Sequence, residues 1–174
     1  MVGEPEMVSS SIASSVDKNA GGVRHVLVVD DNPHAREILA SYLEQFSFRV
    51  VTVENAEKAL TLLEQQSTDN PYRLVLMDFS MPGMDGLELL ARIKDIRPET
   101  MVILMTAYGT VKTAVKAMKL GAADYLTKPF NTDEVKIVIR NIIEKENLKQ
   151  EVDYLRWAYS EVIQKEFVGE SRII

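Results

Sequence analysis

The sequence predicts an α/β fold: a doubly wound, five-stranded parallel sheet with helices on both faces and an extended C-terminal helix. Three observations predict it. Short apolar runs alternate five times with stretches of helical period. The runs are apolar nearly throughout, as in strands buried on both faces, and right-handed crossovers follow by default. The last helical stretch then runs from 132 to 166 without a Gly or Pro.

Strand 1 is "HVLVVD" (25–30), and "NPHAREILASYLEQF" (32–46) is helix 1. Its apolar residues Ala35, Ile38, Leu39, Tyr42, Leu43 and Phe46 have the spacing of one helix face. Asn32 suits the N-cap and Pro33 the first helical position. "RVVTVE" (49–54) is strand 2, and "NAEKALTLLEQQ" (55–66) is helix 2, with Ala59, Leu60 and Leu63 inward. "YRLVLMDF" (72–79) is strand 3, and "DGLELLARIKDI" (85–96) is helix 3, bounded by Pro98. "MVILMTA" (101–107) is strand 4, and "TVKTAVKAMKLG" (110–121) is helix 4, stopped by Gly121. "ADYLTK" (123–128) is strand 5, and the last helix begins near Thr132. Val135, Val138, Ile139 and Ile142 are spaced to pack on the sheet. Beyond them Leu148, Val152, Leu155, Tyr159 and Val162 step by 4, 3, 4 and 3, a heptad seam. The period fits a parallel two-stranded coiled coil; a single amphipathic helix docked on a further domain has the same period. The expected divisions are a disordered segment at 1–22, a globular domain at 23–145, a helical linker at 146–168 and a junction at 169–174.

The chain has 174 residues, 46% hydrophobic and 26% charged, enough for one domain with a full core and a segment besides. With no cysteine there is no disulfide, thiolate metal site or cysteine nucleophile, in keeping with a reducing cytoplasm. The net charge of −6 and pI of about 5.0 weigh against direct contact with nucleic acid. No apolar run approaches the roughly 20 residues of a membrane span. The first 22 residues lack the basic start and apolar block of a signal peptide, and read as disordered or as sequence left over from expression.

The residues that do not serve the fold gather at strand ends. In an open α/β sheet ligands bind beyond the carboxyl ends of the strands, and in the flavodoxin-like order 2-1-3-4-5 strands 1, 3, 4 and 5 are neighbours. Strand 1 ends in Asp30 and Asp31, strand 3 in Asp78, strand 4 in Thr106, and strand 5 in Lys128 before Pro129. Singly, each has an ordinary explanation: an Asx turn or cap for the aspartates, a backbone hydrogen bond for the threonine, a solvated charge for the lysine. Jointly they fit one pocket. Three close carboxylates cannot all stay ionised without a cation, and oxygen donors suit Mg²⁺ or Mn²⁺. An ammonium and a hydroxyl opposite them suit a phosphoryl group, for which an aspartate is a competent nucleophile. His34 lies in the first helical turn near the carboxylates; it reads as a helix surface residue, with metal ligation the alternative. Tyr125 in strand 5 reads either as core or as a surface aromatic. "MDFSMPGM" reads as packing and turn.

With these residues in place, "VLVVDDNP", "LVLMDFSMPGMDGLELL", "VILMTAYG" and "GAADYLTKPF" resemble the receiver domain of bacterial two-component response regulators, over about residues 24–145. The resemblance implies that Asp78 accepts a phosphoryl group from a sensor histidine kinase or a small phosphodonor. It implies that Asp30, Asp31, Asp78 and the Ser80 backbone carbonyl hold Mg²⁺. It also implies that Thr106 and Lys128 bind the phosphoryl group and that Tyr125 is an aromatic switch moving with Thr106. It assigns Ser80 and Tyr108 to tuning of autodephosphorylation, and makes the Lys128–Pro129 bond cis. Such a chain is a cytoplasmic signalling switch rather than an enzyme acting on other molecules. The long helix leading into "FVGES" (167–171) resembles the junction to the ATPase domain of NtrC-type, sigma-54-dependent activators. That implies a homodimer through Leu148, Val152, Leu155, Tyr159 and Val162 and through the helix 4–strand 5–helix 5 face, with the chain a receiver-plus-linker fragment. The rival reading is an Mg²⁺-dependent phosphatase of haloacid dehalogenase type. It needs an acid two positions after the nucleophile, where this chain has Ser80. A flavodoxin-type binding module is disfavoured because an acid-lined pocket repels a flavin phosphate.

Overall fold

The computed structural model describes residues 25–170. The expectations for 1–22 and for 171–174 lie outside the described residues. The elements are β1 (His25–Val29), α1 (Pro33–Glu44), β2 (Arg49–Val53), α2 (Ala56–Gln65), β3 (Tyr72–Asp78), α3 (Gly86–Ile96), β4 (Met101–Thr106), α4 (Val111–Lys119), β5 (Asp124–Thr127) and α5 (Thr132–Glu170). All five strands pair in parallel in the order β2-β1-β3-β4-β5. The chain divides into two compact units, one ending at Lys136 and the other comprising the helix from Ile137 onward.

Polar side chains start the helices. Asn32 accepts from the backbone N–H groups of His34 and Ala35, and Asn55, Asp85, Thr110 and Asn131 each accept from the N–H three residues on. Helix α4 closes at Leu120, followed by Gly121 at φ 96°.

The core of the first unit lies on the central strands. Val26 to Val29, Leu74 to Met77 and Val102 to Met105 are completely buried, and on one face of the sheet Leu27, Val29, Val75, Met77, Val102 and Leu104 cluster with Leu63, Leu89, Leu90 and Ile93 from the helices. Two expectations are corrected. Strand β2 reads as apolar, yet only Val53 in it is buried, because β2 is an edge of the sheet and keeps one side uncovered. The apolar face of α1 is narrower than its six candidate positions: Leu39 and Leu43 are buried, whereas Ile38 is 38% exposed. Six residues at that spacing span a wider arc than one sheet surface covers.

In the second unit the helix continues unbroken, and Leu148, Val152, Leu155, Tyr159 and Val162 are all exposed along it. No helix among the described residues is long and apolar enough to cross a membrane.

Candidate functional site

The carboxyl ends of β1, β3, β4 and β5 bring the strand-end residues together. Asp30 continues the ladder one residue past β1, its N–H donating to the Val53 carbonyl at 3.2 Å. Asp78 is the last residue of β3, in register with Met105. Thr106 ends β4, and its carbonyl accepts the Lys128 N–H at 2.6 Å, which fixes where Lys128 leaves the sheet. The turn after Asp78 is closed by two backbone bonds, Phe79 N–H to the Met105 carbonyl at 2.7 Å and Gly86 N–H to the Phe79 carbonyl at 2.9 Å. Gly86 also has no room for a side chain: an added methyl carbon would stand 2.8 Å from Phe79 Cα and 2.9 Å from a Leu104 methyl.

Asp30 is 1% exposed, Asp78 8% and Thr106 1%, while Asp31 lies exposed at the rim. Carboxylate oxygens of Asp30, Asp31 and Asp78 lie within 4.8 Å of one another. It is the one such acidic or histidine cluster among the described residues. Lys128 binds two of the three acids, donating from Nζ to Asp30 Oδ2 at 3.0 Å and to Asp78 Oδ1 at 3.2 Å. Asp30 also takes the Asn32 N–H on Oδ1 at 2.9 Å, so it serves the turn as well as the cluster. Burial pushes the Asp78 carboxyl above its usual range; Lys128 opposes this, and the charges of Asp30 and Asp31 add to it. Burial works against the Lys128 ammonium, but the hydrogen bond and charge of Asp30, then Asp78, outweigh it and hold its pKa above the usual value. The site is thus crowded with negative charge around one cation. An all-oxygen set of three carboxylates around this point fits a hard divalent ion.

Thr106 Oγ1 accepts the Tyr108 N–H at 3.2 Å, and the Tyr108 side chain is 88% exposed. Tyr125 is partly buried and packs against the core, with its hydroxyl enclosed and unpartnered among the described residues. His34 is exposed and stands outside the acidic cluster. Ser80 lies exposed in the loop after Asp78. The Lys128–Pro129 bond is cis. A cavity of about 520 Å³ opens beside Lys128, lined also by Asn32, Leu39, Ala107 and Phe130. Arg36 escaped the sequence reading: its Nη1 donates to the Asp30 carbonyl at 2.6 Å, tying α1 to the strand end. A basic residue one helical turn beyond an acid pair was the available signal.

Residues 26–140 match the response regulator receiver domain. The chain belongs to that family. The regulatory protein AtoC of Escherichia coli is 36% identical over 138 residues, covering 79% of this chain and 29% of AtoC. A putative NtrX-like response regulator of Rickettsia bellii is 39% identical over 151 residues, covering 85% of this chain and 30% of its own length. The chain therefore spans less than a third of these curated relatives. Among solved structures, the beryllofluoride-activated NtrC4 receiver domain dimer superposes with a TM-score of 0.64 at 31% identity, covering 70% of this chain and 97% of that one. This receiver domain carries its acid cluster at the carboxyl edge of the sheet, the position its family membership leads one to expect.

Proposed function

We propose that this receiver domain is a phosphorylation-dependent switch in which Asp78 is the phosphoacceptor. The observation that carries the reading is the position of Asp78: buried, within 4.8 Å of two further carboxylates and 3.2 Å from the Lys128 ammonium. A carboxylate oxygen of Asp78 attacks the phosphorus of a phosphohistidine on a sensor kinase, or of a small acyl phosphate. The new O–P bond replaces the P–N or P–O bond of the donor, and the leaving group departs with that electron pair. Asp30, Asp31, Asp78 and the Ser80 carbonyl hold Mg²⁺, or Mn²⁺, which when bound neutralises charge on the transferring group and aligns it. Lys128 exchanges its bond to the Asp78 carboxylate for one to the phosphoryl oxygens. Thr106 bonds another of these oxygens, and Tyr125 moves with it. Ser80 and the exposed Tyr108 flank the phosphoryl group and set how fast water removes it.

The phosphoryl group adds roughly −1.5 to −2 charges where three carboxylates already crowd. Repacking of Thr106 and Tyr125 passes this change to the α4–β5–α5 face. Homodimers form through that face and through the exposed seam of α5, and the switch alters their pairing. In a longer chain of NtrC type, the partner so controlled is a sigma-54 activator ATPase domain following the linker, and transcription is the output. The domain works in the cytoplasm and does not itself contact DNA.

Incubation with labelled acetyl phosphate and Mg²⁺ tests the first step. The wild-type chain takes up label, chelation of the metal abolishes uptake, and Asp78→Asn takes up none. Label that persists in Asp78→Asn refutes the assignment.

A further inference from the structure

We propose that Gly109 is a positioning residue for the switch, whose missing side chain admits the Tyr125 ring to an inward place beside Thr106. The proposal rests on the reading of Thr106 and Tyr125 as the moving pair. A methyl carbon added at Gly109 would stand 2.9 Å from Tyr125 Oη, 3.0 Å from Tyr125 Cε1 and 3.2 Å from Thr106 Cγ2. All three are shorter than the roughly 3.5–4.0 Å of an unstrained carbon contact. The two side chains therefore flank the one point that a residue other than glycine would fill.

Conformation does not explain the glycine. Gly83 and Gly121 have positive φ, and Gly109 does not, so its backbone accepts alanine and only space forbids it. Of the two neighbours, Thr106 is the more firmly held before phosphorylation. It is buried at a strand end, its carbonyl holds the Lys128 N–H and its hydroxyl holds the Tyr108 N–H. Tyr125 lies on the edge strand β5 and is only partly buried, so its ring is the part that leaves. No polar contact retains it, since its hydroxyl is enclosed without a partner among the described residues. The inward place is held by packing alone, and one methyl group is enough to tip it. With the ring displaced, Thr106 loses the support behind it and holds a phosphoryl oxygen less well.

The test combines beryllofluoride affinity in Mg²⁺ with fluorine NMR of chains labelled with 3-fluorotyrosine, for wild type, Gly109→Ala, Tyr125→Ala and the double variant. Gly109→Ala is expected to weaken beryllofluoride binding by about threefold or more, with no further loss in the Tyr125→Ala background, the signature of coupled neighbours. The Tyr125 resonance, identified by its absence in Tyr125→Ala, is expected to shift towards that of an exposed ring. An unmoved resonance with wild-type affinity overturns the proposal, as does an equal loss with and without Tyr125. A wild-type chain that binds no beryllofluoride would instead strike the phosphoacceptor reading, and the resonance would still decide whether Gly109 positions the ring.

Discussion

Lys128 holds two carboxylates at once, yet Asp78 remains harder to ionise than an ordinary aspartate, because burial and two like charges outweigh the one ammonium. The folded pKa of Asp78 lies above its unfolded value. Folding therefore binds a proton through the window between those two values, and stability falls as pH rises across it and stays lower above it. In metal-free buffer at pH 7, Asp78→Asn should raise Tm by roughly 2–4 °C, the equivalent of ~1 kcal/mol for a chain of this size. Mg²⁺ should then stabilise the wild type more than the variant, by linkage to binding. A lower Tm for Asp78→Asn in thermal unfolding by circular dichroism would show that Lys128 already compensates the charge. Most of this site was legible in the sequence because acids, a lysine and a hydroxyl stand at strand ends, where the fold has no use for them together. The dual use of Asp30 was not, since an Asx turn and a cation cradle ask for the same residue. Arg36 was less legible for a different reason: its partner is a backbone carbonyl, so its place beside the acid pair is the whole of its signal.

At the scale of elements, the alternation of strand and helix periods located nine of the ten segments to within two residues and the start of the tenth, α5, which runs to Glu170, four residues past the 166 read; each helix start carries its own cap. Burial was less legible. The apolar run of β2 says that the strand can be buried, but only the strand order says that it is an edge. The connection from α1 to β2 contains the one strained backbone position among the described non-glycine residues, Ser47 at φ 65°. A left-handed conformation costs an L-residue ~1–2 kcal/mol, part of which glycine returns through its freer unfolded chain. Ser47→Gly should therefore stabilise the domain by about 0.5–1 kcal/mol in urea unfolding. Gly86→Ala should do the opposite, by about 1–3 kcal/mol, since its methyl meets the backbone of Phe79. An unchanged midpoint for Ser47→Gly would mean that the turn relaxes without cost.

At the scale of the molecule, the helix from Ile137 presents Leu148, Val152, Leu155, Tyr159 and Val162 to solvent in heptad steps, a pattern that a lone helix has no reason to keep. A homodimer through this seam predicts a concentration-dependent dimer in sedimentation equilibrium and a monomer for Leu155→Asp. A wild-type chain that is monomeric throughout would assign the seam to another partner. The sequence showed the seam but not its occupant, because period records a buried face and not what buries it. The proposed switch as a whole depends on one bond formed at one residue. Borohydride reduction of an aspartyl phosphate leaves homoserine, so peptide mapping after acetyl phosphate, Mg²⁺ and borohydride reads the acceptor directly. Homoserine at position 78, absent when the metal is chelated, is the predicted result. Homoserine at Asp30 or Asp31, or an unmodified Asp78 in a folded chain supplied with Mg²⁺, would contradict it.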